Sequence, residues 1–332
     1  MVRVLTTEEI APVTGAITRR FGIHGTDLGI LWDNGQGRLL VAFGDTYGAG
    51  WGGHGAGPPD GSDWRCNVLA FASNRDLETG LRLDSVVPRA DGMAAQFIER
   101  DRHVDEHTVI PNSGIAVGGY NYVHYMSVRK WRETGWDTNY AGIAVSADGG
   151  DTWTKPPGAR WPNSPKGDHP FQICAFAADE NHVYLMGTTN GRFGPAYLGK
   201  CGRYEVLSPS SYSYWSHNDW VKDPFAATPV MSGPVGEMSV AYNTHFGQWI
   251  ALHLDEDRAA IVLRWAPELT GPWADGQVVA GANDYPAPYG GYLHPWANDR
   301  PDIYFTLSQW GPYNVKLMRT RLKSDAPVTD TV

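Results

Sequence analysis

Cysteine is scarce in this 332-residue chain: Cys66, Cys174 and Cys201 stand far apart, with no CxxC pair and no neighbouring His cluster. This excludes a zinc ribbon or a disulfide framework as the source of stability, and the odd count leaves at least one free thiol. All three read as small buried hydrophobes. Charge is thin as well, at 19% of residues, and its balance of 36 Asp and Glu against 27 Lys and Arg gives a net charge of -9 with no basic run. Nucleic acid is therefore not an expected partner. No segment reaches the ~18 consecutive apolar residues of a spanning helix, so membrane insertion is not expected. The opening MVRVLTTEEIAPVTGAITRR has no apolar stretch of the signal-peptide kind. A Walker loop, a GxGxxG turn after a strand and a Ser-His-Asp arrangement are also missing.

What the chain has in quantity is Gly (39), Pro (23), Tyr (16) and Trp (14), the composition of short strands joined by tight turns. Strand-like runs alternate with turn residues at 29–47, 67–74, 114–131, 140–153, 171–189, 238–254, 259–273 and 302–322. Most of them pair two β-rich runs across Asn-Gly, Asp-Gly, Gly-Gly or a short polar loop, the hairpin signal. SADGGDTW (146–153) matches the Asp-box pattern S-x-D-x-G-x-x-W, PELTGPW (267–273) is a degenerate version, and YSYWSHNDW (212–220) is a third candidate. In such a turn the Asp binds backbone amides of its own hairpin and the Trp packs between sheets, so the motif marks a propeller blade and carries no chemistry. Four-stranded blades of roughly 40–50 residues fit about five to seven times, and five suits the spacing of the hairpins best. The expected fold is all-β, a five-bladed β-propeller, with residues 1–332 as a single domain.

A propeller gathers the innermost strands of all its blades around one axis, so a site at its mouth draws single polar residues from distant parts of the chain. Carboxylates at the ends of apolar strands are the candidates, because burial there is costly without a partner or a task. Asp27 in HGTDLGILW and Asp45 in LLVAFGDTYG flank the first hairpin. With its turn at 33–37 they meet at the same open end, where two carboxylates push their pKa values apart. Turn capping is the plainer role for each of them. Glu237 in SGPVGEMSVAYN is a lone carboxylate at another strand entrance, either kept protonated or paired with Arg65, Arg129, Arg192 or Arg264. His24, His169, Gln172 and His294 sit beside Gly, Pro and aromatic residues in contexts suited to a sugar site, or serve as turn residues. Trp32, Trp51, Trp64, Trp136, Trp161 and Trp296 exceed the needs of blade packing, and loops 48–63 and 281–296 are candidate groove walls.

Taken together, HGTDLGILW, LLVAFGDTYG, HTVIPNSGIAVGGYNYVHYMSVRKW, TNYAGIAVSADGGDTW, FQICAFAADENHVYLMGTTNGRFG, YSYWSHNDW, GPVGEMSVAYN and YGGYLHPW resemble the endo-D-arabinanase family of actinobacteria and their phages, a domain long catalogued as of unknown function. The resemblance runs from about residue 14 to 322. It implies a five-bladed propeller that hydrolyses internal α-linked D-arabinofuranose bonds of mycobacterial-type arabinogalactan and lipoarabinomannan, acting outside the cell at the wall as a secreted or phage-associated protein. By it, Asp27 and Asp45, 18 residues apart, fall on the family's two essential N-terminal acids, with Glu237 a weaker correspondence.

The family is regarded as inverting, which asks for a base and an acid about 6.5–9.5 Å apart. Asp27 is then expected as base, with Asp45 and Glu237 competing for the acid role. Arg65, Arg129, Arg192, His24, His169, Gln172, His294 and Trp296 are expected around the sugar. This chemistry requires no cofactor, and no DxDxDG-type loop is present to predict a structural Ca²⁺ in the channel. The competing readings are a non-catalytic glycan-binding propeller, a sialidase-like enzyme, whose arginine clamp does not assemble here, and a protein-interaction propeller.

Overall fold

The computed structural model describes residues 2–57 and 61–324. Strand β1 (Val2–Pro12) leads into five antiparallel sheets. Blade I holds β2 (Leu28–Asp33), β3 (Leu39–Phe43), β4 (Val68–Ala72) and β5 (Ser85–Val86). Blade II holds β6 (Thr108–Val117), β7 (Tyr120–Arg132), β8 (Gly135–Ser146) and β9 (Arg160–Pro162). Blade III runs through β10 (Ile173–Ala178), β11 (His182–Thr188), β12 (Tyr197–Gly202), β13 (Ser213–Ser216) and β14 (Asp219–Val221). Blade IV holds β15 (Met238–Asn243), β16 (Gln248–Asp255), β17 (Ala260–Ala266) and β18 (Gln277–Gly281). Blade V joins β19 (Pro288–Leu293), β20 (Asp302–Gln309) and β21 (Asn314–Ser324) to β1, which is its outermost strand.

The innermost strands β2, β6, β10, β15 and β19 touch one another in a closed cycle. The expected five-bladed propeller is the fold observed. Closure comes from β1 pairing with β21, Val2 opposite Ser324 and Pro12 opposite Lys316, so the first and last strands complete one sheet. Strands in the middle of a blade lie between sheets on both faces, which is why β3 (LLVAF) and β4 (VLAFA) are buried at every position and read as continuous apolar runs. The three thiols are free and buried, as their apolar surroundings predict.

The turn at 146–153 is an Asp-box in its hydrogen bonds. Asp148 accepts from the Thr152 backbone N at 2.9 Å and from the Ser146 hydroxyl at 2.7 Å, and Trp153 Nε1 donates to Gly150 O at 2.9 Å. The Trp153 ring then packs edge-on against Trp32 of blade I, 6.2 Å away, and Phe97, so the turn seals the seam between two blades. Trp273, which donates to Leu269 O at 3.1 Å, repeats the device in blade IV. Segment 212–220 does not. It forms the β13–β14 hairpin, turning through His217 and Asn218 at positive φ with Trp215 facing Trp220, and contributes an extra outer strand to blade III.

Candidate active site

All five inner strands run in the same sense, so the residues that precede them collect at one mouth of the channel. Asp27 precedes β2 and Glu237 precedes β15. Both line a cleft of about 480 Å³ together with Asp45, Trp64, Trp131, Trp136, Arg192, Tyr289, Trp310 and Tyr313. A volume of this order suits a few sugar units.

The backbone that delivers Asp27 is unusual. Leu28 takes φ 68° and Gly29 φ 82°, and the pairing of β2 with β3 slips between Leu28 and Ile30. A bulge here re-aims the preceding side chain into the channel, and a non-glycine residue in the left-handed region is a strained conformation of the kind found at functional sites. Across the first hairpin, a Cβ at Gly44 would overlap Asp27 Oδ1 and meet Leu28 Cδ1 at 3.1 Å. Glycine at 44 is what makes room for the carboxyl.

Asp27 Oδ2 accepts hydrogen bonds from the hydroxyls of Tyr289, on β19, and Tyr313, in the turn between β20 and β21, both at 3.1 Å. Its Oδ1 is enclosed and has no partner among the described residues. Burial, then the neighbouring Asp45 and more weakly Glu237, push the Asp27 carboxyl up to about 8 against the two tyrosine bonds. Asp45 directs Oδ1 to Trp64 Nε1 at 2.9 Å and to Thr108 Oγ1 at 2.8 Å, leaving Oδ2 outside these bonds. Burial raises its carboxyl to about 6, with Thr108, Trp64 and Arg100 working in the opposite direction.

Glu237 is an ion pair. Arg192 donates Nη2 at 2.6 Å and Nε at 3.0 Å to Oε1, while Nη1 reaches Glu256 at 3.3 Å. The other Glu237 oxygen, Oε2, is enclosed without a partner among the described residues, as is Trp136 Nε1. Three buried polar atoms on residues that line one cleft, Asp27 Oδ1, Glu237 Oε2 and Trp136 Nε1, therefore lack a partner among the described residues. Buried polar atoms without partners are rare because each forfeits its hydration.

Of the residues expected around the sugar, the cleft gathers Arg192 with the three carboxylates, and not the others. Arg65 is buried but spends its guanidinium on Gly22 O, Ala94 O and Asp63, tying loops together behind blade I. Arg129 is exposed and 3.8 Å from Asp137. His24 lies on the approach to Asp27, where its backbone N binds Tyr47 O at 2.8 Å. His169 accepts from the Phe171 backbone N and meets Phe225 edge-on, and Gln172 is bound to Thr138 Oγ1 and Trp161 O. Both precede β10 yet are absorbed by the packing of blades II and III.

His294 and Trp296 lie at the opposite mouth, because they come after β19 instead of preceding it. His294 caps a short 3₁₀ turn, and Trp296 Nε1 donates to Asp33 Oδ2, at the far end of β2 from Asp27. Arg264 bonds Ser232. Ala56, Gly57 and Tyr289 are the cleft-lining members of the two candidate wall loops, and residues 58–60 fall outside the described residues. Of the six singled-out tryptophans, Trp64 and Trp136 line the cleft. Trp51 packs behind Tyr313, while Trp32 and Trp161 belong to the cores of the blades.

Sequence reasoning missed Tyr289 and Tyr313, which hold Asp27, and Trp131 and Trp310. Among the described residues no cluster of three or more His, Cys, Asp or Glu side chains has the arrangement of a metal site. Nor is any helix among them long and apolar enough to cross a membrane.

Comparison with known proteins bears first on the fold. The chain superposes with a TM-score of 0.55 on the catalytic domain of a family 62 α-L-arabinofuranosidase from Coprinopsis cinerea, at 13% identity over 96% of this chain and 98% of that one. A family 117 glycoside hydrolase from Zobellia galactanivorans gives 0.57 at 12% identity, covering 96% and 90%. At such identities the likeness is one of architecture. In sequence, the chain is 31% identical over 311 residues to notoamide biosynthesis cluster protein J of Aspergillus sp. (strain MF297-2), covering 88% of this chain and 81% of that protein. Residues 14–319 match the family model described as "Domain of unknown function (DUF4185)", and the chain belongs to that family.

Proposed function

We propose that this protein is a glycoside hydrolase that cuts internal bonds of α-linked D-arabinofuranose chains, of the kind found in mycobacterial-type arabinogalactan and lipoarabinomannan. The observation that carries the reading is the convergence of Asp27, Asp45 and Glu237 in one aromatic-walled cleft, with an unpartnered oxygen on Asp27 and another on Glu237. Two carboxyls held apart in pKa provide a proton donor and a proton acceptor at once, which is what hydrolysis through an oxocarbenium-like transition state requires. The glycoside hydrolases that share the architecture add support, and the arabinofuranosidase among them acts on a furanoside. The arabinan polymers are wall components, so the site of action is proposed to be outside the cell.

In this reading Asp27 is the acid. Its Oδ2 is occupied by two tyrosine donors, so its proton resides on Oδ1, the oxygen left free for a ligand. That proton passes to the departing glycosidic oxygen as its bond to the anomeric carbon breaks. Asp45, ionised, takes a proton from the water whose oxygen bonds to the same carbon, and solvent exchange restores both groups. Glu237, oriented by Arg192, accepts a hydrogen bond from a ring hydroxyl. This exchanges the role expected of Asp27 in the sequence.

The test is release of reducing ends and a ladder of D-arabino-oligosaccharides from purified arabinogalactan by the intact protein, lost in folded Asp27→Asn and Asp45→Asn. An inactive protein that still binds the polymer would make it a glycan-binding propeller instead.

A further inference from the structure

We infer that Trp131 and Trp310 are sugar-stacking platforms on the two flanks of the carboxylate centre, and that Trp136 Nε1 donates to a sugar hydroxyl on the Trp131 flank. The cleft then holds a linear oligosaccharide across the reacting bond. The class of ligand rests on the glycosidase reading; the platforms themselves rest on the placement, exposure and bracing of the two rings.

Asp27 and Asp45 belong to blade I, and the blades on either side of it in the ring are II and V. Trp131 stands at the end of β7 in blade II, and Trp310 comes directly after β20 in blade V. Both line the cleft. They are 42% and 49% exposed, whereas the aromatic rings that hold the carboxylates are buried or partly buried. A large exposed apolar ring at the rim of a polar cleft is a ligand-contact feature more than a packing one.

Each ring is also braced. Trp131 meets Trp136 at 5.8 Å and 69°, and Trp310 meets Tyr313 at 5.8 Å and 87°. Near-perpendicular contacts of this kind fix the orientation of a ring before a ligand arrives. On the blade II flank the brace does more. Trp136 is only 9% exposed and lines the cleft, yet its indole N–H is enclosed without a partner among the described residues. An N–H so placed beside a free aromatic ring matches the two needs of a sugar: a flat apolar face to stack on and a donor for a hydroxyl.

The test is binding of α-linked D-arabinofuranose oligosaccharides of two to eight units, measured by calorimetry, in Asp27→Asn and separately in Asp45→Asn so that nothing is turned over. Affinity is expected to rise with length until both flanks are filled. Trp131→Ala and Trp310→Ala each weaken the octasaccharide about tenfold, while the disaccharide is sensitive to at most one of them. Trp136→Phe, which keeps the ring and removes the donor, weakens it about threefold to tenfold.

Thermal unfolding of each variant confirms that the fold is intact, and Trp131→Phe and Trp310→Tyr, which keep a ring, restore most of the affinity. Affinity independent of chain length, or unchanged in both alanine variants, overturns the inference, as does the absence of binding in both backgrounds. Length-dependent binding with the expected losses, by a wild-type protein that releases no reducing ends, leaves the platforms standing and removes the hydrolase reading.

Discussion

Tyr313 donates its hydroxyl to Asp27 Oδ2 at 3.1 Å although 286 positions separate them in the chain. The bond crosses the seam between blades V and I, and it favours the ionised carboxyl. Tyr313→Phe should therefore push the Asp27 pKa further up and move the alkaline limb of the pH–rate profile to higher pH. The expected loss in kcat is about tenfold, the usual order for one hydrogen bond to a charged group. Profiles of wild type and variant on the same arabinan substrate check both the direction and the size.

The wild-type profile of kcat/KM should be a bell. Asp45, raised to about 6, must be ionised to accept a proton, so activity falls as pH drops through that value. Asp27, raised to about 8, must be protonated to donate one, so activity falls again as pH rises through it. The two limbs belong to a coupled pair, and a single-limbed profile would contradict the assignment of two carboxyls to opposite roles.

Asp27→Asn should cost activity and add stability. The folded-state pKa of Asp27 lies above its ordinary value of 3.8, so the folded protein binds the extra proton. The stability tied to that proton is complete below about 4 and is lost as pH rises towards 8. A neutral amide escapes that loss, so the variant's advantage in unfolding free energy should be absent at pH 4 and grow steadily towards pH 8, as denaturant unfolding at each pH would read. The same change should lower kcat by 10²-fold or more, an order typical of losing a general acid.

Gly44→Ala tests the space behind the carboxyl. The new methyl would overlap Asp27 Oδ1, so either the carboxyl or the hairpin must shift. A loss of about 1–3 kcal/mol in unfolding free energy is expected from overpacking, together with a fall in kcat larger than the change in KM.

Trp153→Ala provides the contrast. This ring closes the seam between blades I and II and is not part of the cleft's lining, so its removal should lower stability by roughly 2–4 kcal/mol while leaving kcat and KM near wild type at a temperature where the protein is folded.

The parts of this molecule that were readable in the sequence are those set by local rules. The blade pattern arises from alternating runs and turn residues, and the Asp27–Asp45 pair from a single hairpin whose turn at Asn34 to Gly37 sets the register. Glu237 was readable as a strand-entrance carboxylate, but its partner was one of four arginines, and only the ring of blades selects Arg192. His294 and Trp296 were placed at the wrong mouth because aromatic and polar neighbours describe a strand end without saying which end. The criterion that separates them from Asp27 and Glu237 is direction: residues before an inner strand lie at the mouth that holds the cleft, and residues after it lie at the opposite one. Trp131 and Trp310 fall within runs that read as strands, 114–131 and 302–322, where an aromatic residue passes for sheet packing, and nothing short of the closed ring brings them into one cleft with Asp27.

The pairing of β1 with β21 carries a kinetic consequence. β1 has no mate until β21 is available, so blade V cannot be completed before the other four sheets have been synthesised. Tyr289 and Tyr313, which secure the Asp27 carboxyl, sit in that same late blade. A nascent chain that stops short of Tyr313 lacks one of the two donors to Asp27, so the setting of this carboxyl is completed only when blade V closes.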